Sequence, residues 1–524
     1  MEQVEHPRRW AILAVLAFAV FVVSIDSTVL NVALPTLGRE LKASTSALQW
    51  MVDAYSLTLA GFLLLAGSLS DRFGRKRLLV IGLLLFGAAS LAAVFSQEAW
   101  QLIAARAVMG IGASAFMPGT LSILVHVFSE KSRPKAIGVW GAVTALGAVV
   151  GPLVGGALLQ RFWWGSLYLV NVIVVGVAVL GAMVLVPEST DPAARRIDPL
   201  STILSIVGVT GVVYSVIEEP TYGWHSTQVY VPLAAGALVL MLFLIRQVFA
   251  KHPMIDLKVA FSKRFLGASG TMAVLMFALT GSLFVLTQQL QLSLNYSPLL
   301  AGAAILPVAA ALMVCSPLAP VVARLLGTKG AVAIALVILA AGYGYLAAFT
   351  QSQGYAGMAV GMVLIGAGMG ISQPLVNDVL MSAGPAERSG LLSSMNDTVQ
   401  ELGAAFGVAI VGSVLAVVYT SSYSLGAPEP AKQSLGQALT AAEGLPQQSA
   451  NAVTEAAHSA FASAFSVATA VCACVVLLGA IIAAILVPRR AASQEVENSA
   501  GVADEGSTAK TSAIGDERVA NSAI

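Results

Sequence analysis

The sequence predicts an all-α protein that crosses a membrane fourteen times, and three observations carry that prediction. Apolar residues make up 57% of the 524-residue chain and charged residues only 10%, where a soluble protein carries about 25% charged residues. The apolar residues gather in blocks of about 20 between short charged connectors, the length a helix needs to cross hydrocarbon at ~1.5 Å per residue. The basic residues fall almost entirely on alternate connectors, as the positive-inside rule requires. A water-soluble enzyme is excluded on this ground alone. A net charge of +1 leaves no basic excess of the kind that nucleic-acid binding uses.

Taken in order, the spans lie near 10–34, 48–69, 78–96, 101–126, 137–159, 166–187, 199–217, 229–249, 265–292, 299–323, 330–350, 355–379, 392–418 and 463–487. The first block follows Arg8-Arg9 and is too long for the apolar core of a signal peptide, so it counts as a span. With the N-terminus in the cytoplasm, 23 of the 28 Lys and Arg residues lie inside. Arg39, Lys42, Arg161 and Lys432 lie outside, and Arg106 sits within a span. One span more or fewer scrambles that asymmetry, so both termini are expected on the cytoplasmic side of the plasma membrane. Residues 1–9 then form a cytoplasmic N-terminus, 10–187 a six-helix bundle, 188–264 a central helix pair with its loops, and 265–487 a second six-helix bundle. Residues 419–462, rich in Ser, Gln, Ala and Glu, read as a poorly folded outer loop, and 488–524 as a disordered cytoplasmic tail. Cys315, Cys472 and Cys474 lie in apolar stretches and suggest no metal site. The five histidines fall in loops or at span ends.

A constant offset relates the two bundles. Gly110, Gly112 and Pro118 of span four recur as Gly366, Gly368 and Pro374 of span twelve, 256 residues on. The same offset carries Gly147, Gly151 and Gly156 of span five to Gly403, Gly407 and Gly412 of span thirteen. Spans one to six and nine to fourteen therefore read as parallel repeats, the architecture in which a substrate sits between halves at the bilayer midplane. Spans seven and eight are an insertion.

The loop after span two reads Gly67-Ser-Leu-Ser-Asp71-Arg72-Phe-Gly74-Arg75-Lys76-Arg77. Glycine permits a tight turn, and an acid among bases can latch a neighbouring helix in one conformation and release it in another. This loop resembles the signature of the major facilitator superfamily. Span five, Gly147-Ala-Val-Val-Gly151-Pro152-Leu-Val-Gly155-Gly156, is similar to the motif that marks proton-driven antiporters in that superfamily: small residues let helices touch backbone to backbone and Pro152 weakens the helix. With Asp26-Ser-Thr-Val-Leu-Asn31-Val-Ala-Leu-Pro35 in span one and Trp50-Met-Val-Asp53-Ala-Tyr55 in span two, the chain resembles the fourteen-helix drug/proton antiporter branch. The resemblance covers residues 10–418. The second-half counterpart of the signature loop, Arg324-Leu-Leu-Gly327-Thr-Lys329, lacks the acid.

Ionisable groups inside a membrane are costly and mark cavities or relays. Asp26 is the first candidate for proton coupling, as an acid facing a cavity, with a hydrogen-bonded interface acid as the alternative. Arg106 needs an acid or carbonyl partner; the resemblance implicates it in coupling, and a structural buried pair is the rival. Asp397 and Glu401, four apart in span thirteen, share a helix face. Two adjacent carboxylates do not both ionise cheaply, so an organic cation binding there would displace a proton. Asp53 and Asp378 read as interfacial. Tyr55, Phe62, Met109, Phe116, Met395 and Phe406 are candidates to line a substrate cavity, since aromatic faces and thioethers accept flat cations; each also suits plain helix packing.

Together these readings imply an exporter of lipophilic or cationic small molecules from the cytoplasm in exchange for protons, by alternating access. No cofactor, metal or nucleic acid is expected; the partners are substrate, protons and membrane lipids, and the protein is expected to be monomeric. A narrow exporter of one metabolite, antibiotic or envelope lipid is the alternative. A channel, an embedded enzyme or an ATP-driven pump fits less well: the chain has a latch loop and no phosphate-binding loop or catalytic constellation.

Overall fold

The computed structural model describes residues 6–129, 132–190, 198–250, 257–348, 354–383, 389–423 and 429–487. The extreme N-terminus and the tail 488–524 lie outside the described residues. The first half comprises α1 (Arg9–Glu40), α2 (Thr45–Phe73), α3 (Arg75–Val94), α4 (Ala99–Val127), α5 (Arg133–Arg161) and α6 (Ser166–Leu185). The inserted pair is α7 (Pro199–Tyr222) and α8 (Thr227–Phe249), followed by a single turn, α9 (Leu257–Ala260). The second half comprises α10 (Lys263–Gln288), α11 (Pro298–Ala304), α12 (Leu306–Cys315), α13 (Ala319–Ala347), α14 (Gly354–Met381), α15 (Ser389–Ser422), α16 (Leu435–Ala442) and α17 (Gln447–Leu486).

Local chemistry sets the boundaries. Ser44 caps α2 by accepting from the Ala47 amide at 3.2 Å, as an N-cap hydroxyl does. Gly74 ends α2 at φ +116°, a backbone region that side chains avoid. Thirteen described stretches are long and apolar enough to cross a membrane. The longest, Pro298–Ala347, runs 50 residues, about 75 Å at ~1.5 Å per residue, more than twice a bilayer's hydrocarbon thickness. Gly327, at φ 72° and ψ 157°, folds it into two crossings, which brings the total to fourteen. Gly74 and Gly327 thus make the same break after the second crossing of each half.

The 256-residue offset is a packing rule. A Cβ on Gly110 would strike α2 at Tyr55 and Thr58, and one on Gly366 would strike α12 at Val308 and Ala311. Gly112 meets α3 as Gly368 meets α13; Gly147 and Gly151 meet α1 as Gly403 and Gly407 meet α10. The last pair reaches across the molecule. Gly156 abuts Pro298 and Leu299 of the second half, and Gly412 abuts Gln49 of the first.

Further contacts join the halves at the end away from Arg72, Arg75 and Arg246. The Gln291 amide donates to the Val32 carbonyl at 2.7 Å, the Gln49 amide to the carbonyl of Ala409 at 2.8 Å, and Gly302 lies on the Pro152 carbonyl. The face of α5 that presents Pro152 and Gly156 there is exposed about two and four turns before Pro152, at Ala145 and Gly138. The halves therefore meet at this far end and part along α5 toward the basic end. Helix α7 straddles the opposite seam: Trp50 of α2 donates its indole N–H to Glu218 at 3.3 Å, and Ser413 of α15 donates to the Val216 carbonyl at 2.7 Å.

The segment read as a poorly folded loop is largely helical. Leu435, Ala438 and Ala442 of α16 are buried at helical spacing, Ser434 caps that helix, and α17 starts at Gln447, well before the expected 463. Alanine, counted as a mark of disorder, is the strongest helix former.

Candidate functional site

Near the middle of the first half, α1 brings Asp26 against Arg106 of α4. The Asp26 carboxylate pairs with Arg106 Nη1 through one oxygen and accepts from the Asn171 amide of α6 at 2.7 Å through the other. Arg106 Nε donates to the Met51 carbonyl at 3.0 Å, and the guanidinium lies 4.3 Å from the centre of the Tyr55 ring. Both charged side chains are 1% exposed. Four helices thus converge on one ion pair whose polar atoms are shared among an amide, a carbonyl and an aromatic face, the arrangement a buried pair needs. Where the sequence suggests an acid facing a cavity, the structure shows Asp26 with both oxygens bonded. The hydroxyls of Tyr55 and Tyr168 are buried at the edge of this cluster; Ser27 lies near that of Tyr55, and that of Tyr168 has no hydrogen-bond partner among the described residues.

Asp397 and Glu401 are in a different state. Both are half-buried on α15, neither is in an ion pair among the described residues, and Ser56 of α2 lies within hydrogen-bonding reach of Glu401 across the seam between halves. Arg106 is close enough to act on Glu401 through space, and the Tyr55 hydroxyl is within range of Asp26, Arg106 and Glu401 together. Glu401 is thus within electrostatic range of both Arg106 and Tyr55.

Sequence reasoning missed Asp53. Its place near the end of span two suggests an interfacial acid, but it is fully buried and neither carboxylate oxygen has a hydrogen-bond partner. It lies one turn from Gln49 and Ser56, which both reach α15. Glu188 was missed too. It follows span six, accepts from the Lys76 amide at 3.1 Å and lies 3.6 Å from Arg77. The signature loop is thereby docked on its own half. Asp71 accepts from Arg75 at 2.9 Å, Arg72 stacks on Phe73, and a Cβ on Gly67 would lie 4.0 Å from Ser394 of the other half. Its place as the first acid after span six was the signal available in the sequence.

The glycines of α5 make the wall behind Asp26: a Cβ on Gly147, Gly151 or Gly155 would strike Phe21 and Ser24, Thr28, or Val29 of α1. Among the aromatic and Met candidates, Tyr55 alone belongs to the cluster. Phe116 packs edge-to-face on Phe86 at 6.1 Å, Met109 is fully buried, and Phe406 packs with Leu57 and Ile217 beside α7. Met395 is buried and Phe62 half-buried. No group of three or more metal-ligating side chains occurs among the described residues.

The chain is similar to known transporters along nearly its whole length. It is 35% identical over 481 residues to the multidrug efflux pump LfrA of Mycolicibacterium smegmatis, covering 90% of this chain and 95% of that one. It is 37% identical over 486 residues to the methyl viologen resistance protein SmvA of Salmonella typhimurium, covering 90% and 97%. Among solved structures, a D-xylose-proton symporter superposes with a TM-score of 0.59 at 16% identity, over 92% of this chain and 98% of that one. A bacterial homolog of the human lysosomal transporter Spinster, inward-facing and occupied, gives 0.59 at 16%, over 92% and 97%. Residues 16–408 match the Major Facilitator Superfamily; the chain belongs to that superfamily and is an integral membrane transporter, not an enzyme.

Proposed function

We propose that the protein exports lipophilic, mainly cationic compounds from the cytoplasm in exchange for inward-moving protons. The observation that carries this reading is the pair of unpaired acids, Asp397 and Glu401, on a helix that lines the seam between the halves. An organic cation arriving there meets two carboxyls that are in no ion pair among the described residues, and its binding favours release of a proton. The Asp26–Arg106 pair gives the neighbouring helices a fixed electrostatic anchor, and Asp53, buried without a partner, is a further carboxyl for protons to visit when the far-end seam opens. The basic end faces the cytoplasm on this reading, so the state described is closed outward and parted inward along α5. The relatives' printed names, multidrug efflux and methyl viologen resistance, support the same class of cargo.

The energetics are consistent. Each proton moving inward releases about 2.3 kcal/mol per 100 mV of potential. A monovalent cation moving outward absorbs the same, so one-for-one exchange runs on the pH difference. In inverted membrane vesicles a cationic dye is expected to accumulate while the interior is kept acid and to leave when an uncoupler is added. Accumulation that persists after the gradient has collapsed removes proton coupling.

A further inference from the structure

At the far end, on the first-half side of α7, α2, α4 and α7 line an open cavity of about 500 Å³. It is lined by two indoles and two carboxylates: Trp50 and Trp100, Glu98 and Glu218. Each indole N–H is already committed to one of these acids, Trp50 to Glu218 at 3.3 Å and Trp100 to Glu98 at 2.5 Å. The bonds fix both rings, and donation to a carboxylate makes each ring richer in electrons. Tyr214 flanks Trp50 with ring centres 6.0 Å apart. No Lys or Arg lines the cavity, and neither acid is in an ion pair among the described residues, so two carboxylates face it without a basic partner.

We infer that this cavity is a binding site for organic cations, separate from the passage between the halves. Anions are excluded by charge. Ligands that need hydrogen-bond donors from the protein are disfavoured, because the indole donors are consumed and only Ser46 adds a hydroxyl. What remains is an aromatic and acidic surface for a flat or quaternary cation held by charge and by ring faces. The cavity joins the first half to the inserted pair, so an occupant also bridges α7 to α2. The inference is independent of the export reading, since it concerns equilibrium binding at a flank.

The experiment uses the purified full chain in detergent, with methyl viologen as the flat dication and 4,4′-bipyridine as its uncharged counterpart, read by tryptophan fluorescence. Saturable quenching by the dication, and none by the bipyridine, is expected. The double variant Glu98→Gln/Glu218→Gln is expected to weaken it about tenfold. Trp50→Phe/Trp100→Phe should remove most of the signal, whereas Glu455→Gln, at an exposed acid of α17, should leave it unchanged. An unchanged affinity in the double Gln variant, or loss of quenching in Glu455→Gln, overturns the site. A chain that quenches but exports nothing keeps this site and defeats the export reading; one that exports without saturable quenching does the reverse.

Discussion

The two halves share a skeleton and differ in charge. Glycines 256 residues apart seat equivalent helices in each, yet the same offset carries Asp26 to Ser282 and Arg106 to Met362. Ser282 makes a neutral hydrogen bond with Tyr343 at 3.2 Å, and Met362 is fully buried. In return, Asp397 and Glu401 correspond to Gly141 and Ala145 in the first half. The half with a buried cation neutralises it in place; among the described residues, the half with bare acids pairs no cation with them. The ion pair enclosed by four helices carries its own counter-charge, while the half-buried acids on the seam are in no ion pair among the described residues. On the proposed reading, repetition supplies the machine and asymmetry the exchange.

The sharpest way to break this contrast is Asp26→Asn. It strands Arg106 in the core, and losing one partner of a buried pair typically costs about 3–5 kcal/mol. Export is expected to vanish and the melting temperature to fall, with the protein still found in the membrane. Asp26→Asn/Arg106→Gln is expected to recover the melting temperature but not export. Export that survives the single substitution takes Asp26 out of the mechanism, and export that returns in the double variant makes the pair purely structural.

Glu401→Gln separates the two regions. The carboxyl has no ion partner to strand, so thermal stability should change by no more than about 1 kcal/mol, in the range of substitutions away from buried networks. Gradient-driven export is nevertheless expected to be lost, while binding of a cationic dye loses its pH dependence. A wild-type rate of uptake into acid-interior vesicles would refute the assignment. Asp397→Asn is expected to act in the same direction and less strongly, because Glu401 keeps the contact to Ser56.

Much of this was legible beforehand. Composition fixed the fold class, and the offset located packing glycines because a backbone-to-backbone contact admits only glycine, wherever it occurs. The ion pair was half legible: a lone arginine in a span demands an acid, but no linear pattern says that α1 and α6 converge on it. Asp53 was misplaced because distance from a span end measures depth, whereas burial depends on what α15 and α7 lay over α2. Phe116 and Phe406 show the same limit, since an aromatic side chain looks alike on paper whether it faces a ring, a neighbouring helix or a ligand. The segment around α16 went wrong through composition.

The crossing glycines test the symmetry with a smaller effect. A Cβ at Gly156 would lie 2.5 Å from backbone atoms of Pro298 and Leu299, whereas at Gly412 it would meet the side chain of Gln49 at 2.6 Å. Backbone cannot step aside and a glutamine can. Gly156→Ala is therefore expected to cost about 1–3 kcal/mol, as overpacking does, and to hold the far end apart, raising labelling of nearby engineered cysteines by impermeant reagents. Gly412→Ala is expected to cost less and to leave labelling unchanged; equal labelling in the two would end the distinction.

The smallest expected effect concerns the docked loop. Glu188 and Arg77 are 38% and 75% exposed, so their attraction is worth at most about 1 kcal/mol. Glu188 does more through the backbone, because it accepts from the Lys76 amide beside Gly74. The corresponding second-half loop, Arg324 to Lys329, has no acid of its own. Glu188→Gln keeps an acceptor oxygen and should leave stability and export close to wild type, whereas Glu188→Ala removes it and is expected to slow export without changing apparent affinity for the dye. A rate change in Glu188→Gln as large as in Glu188→Ala would show that charge, and not the hydrogen bond to the loop, ties α6 to the signature turn.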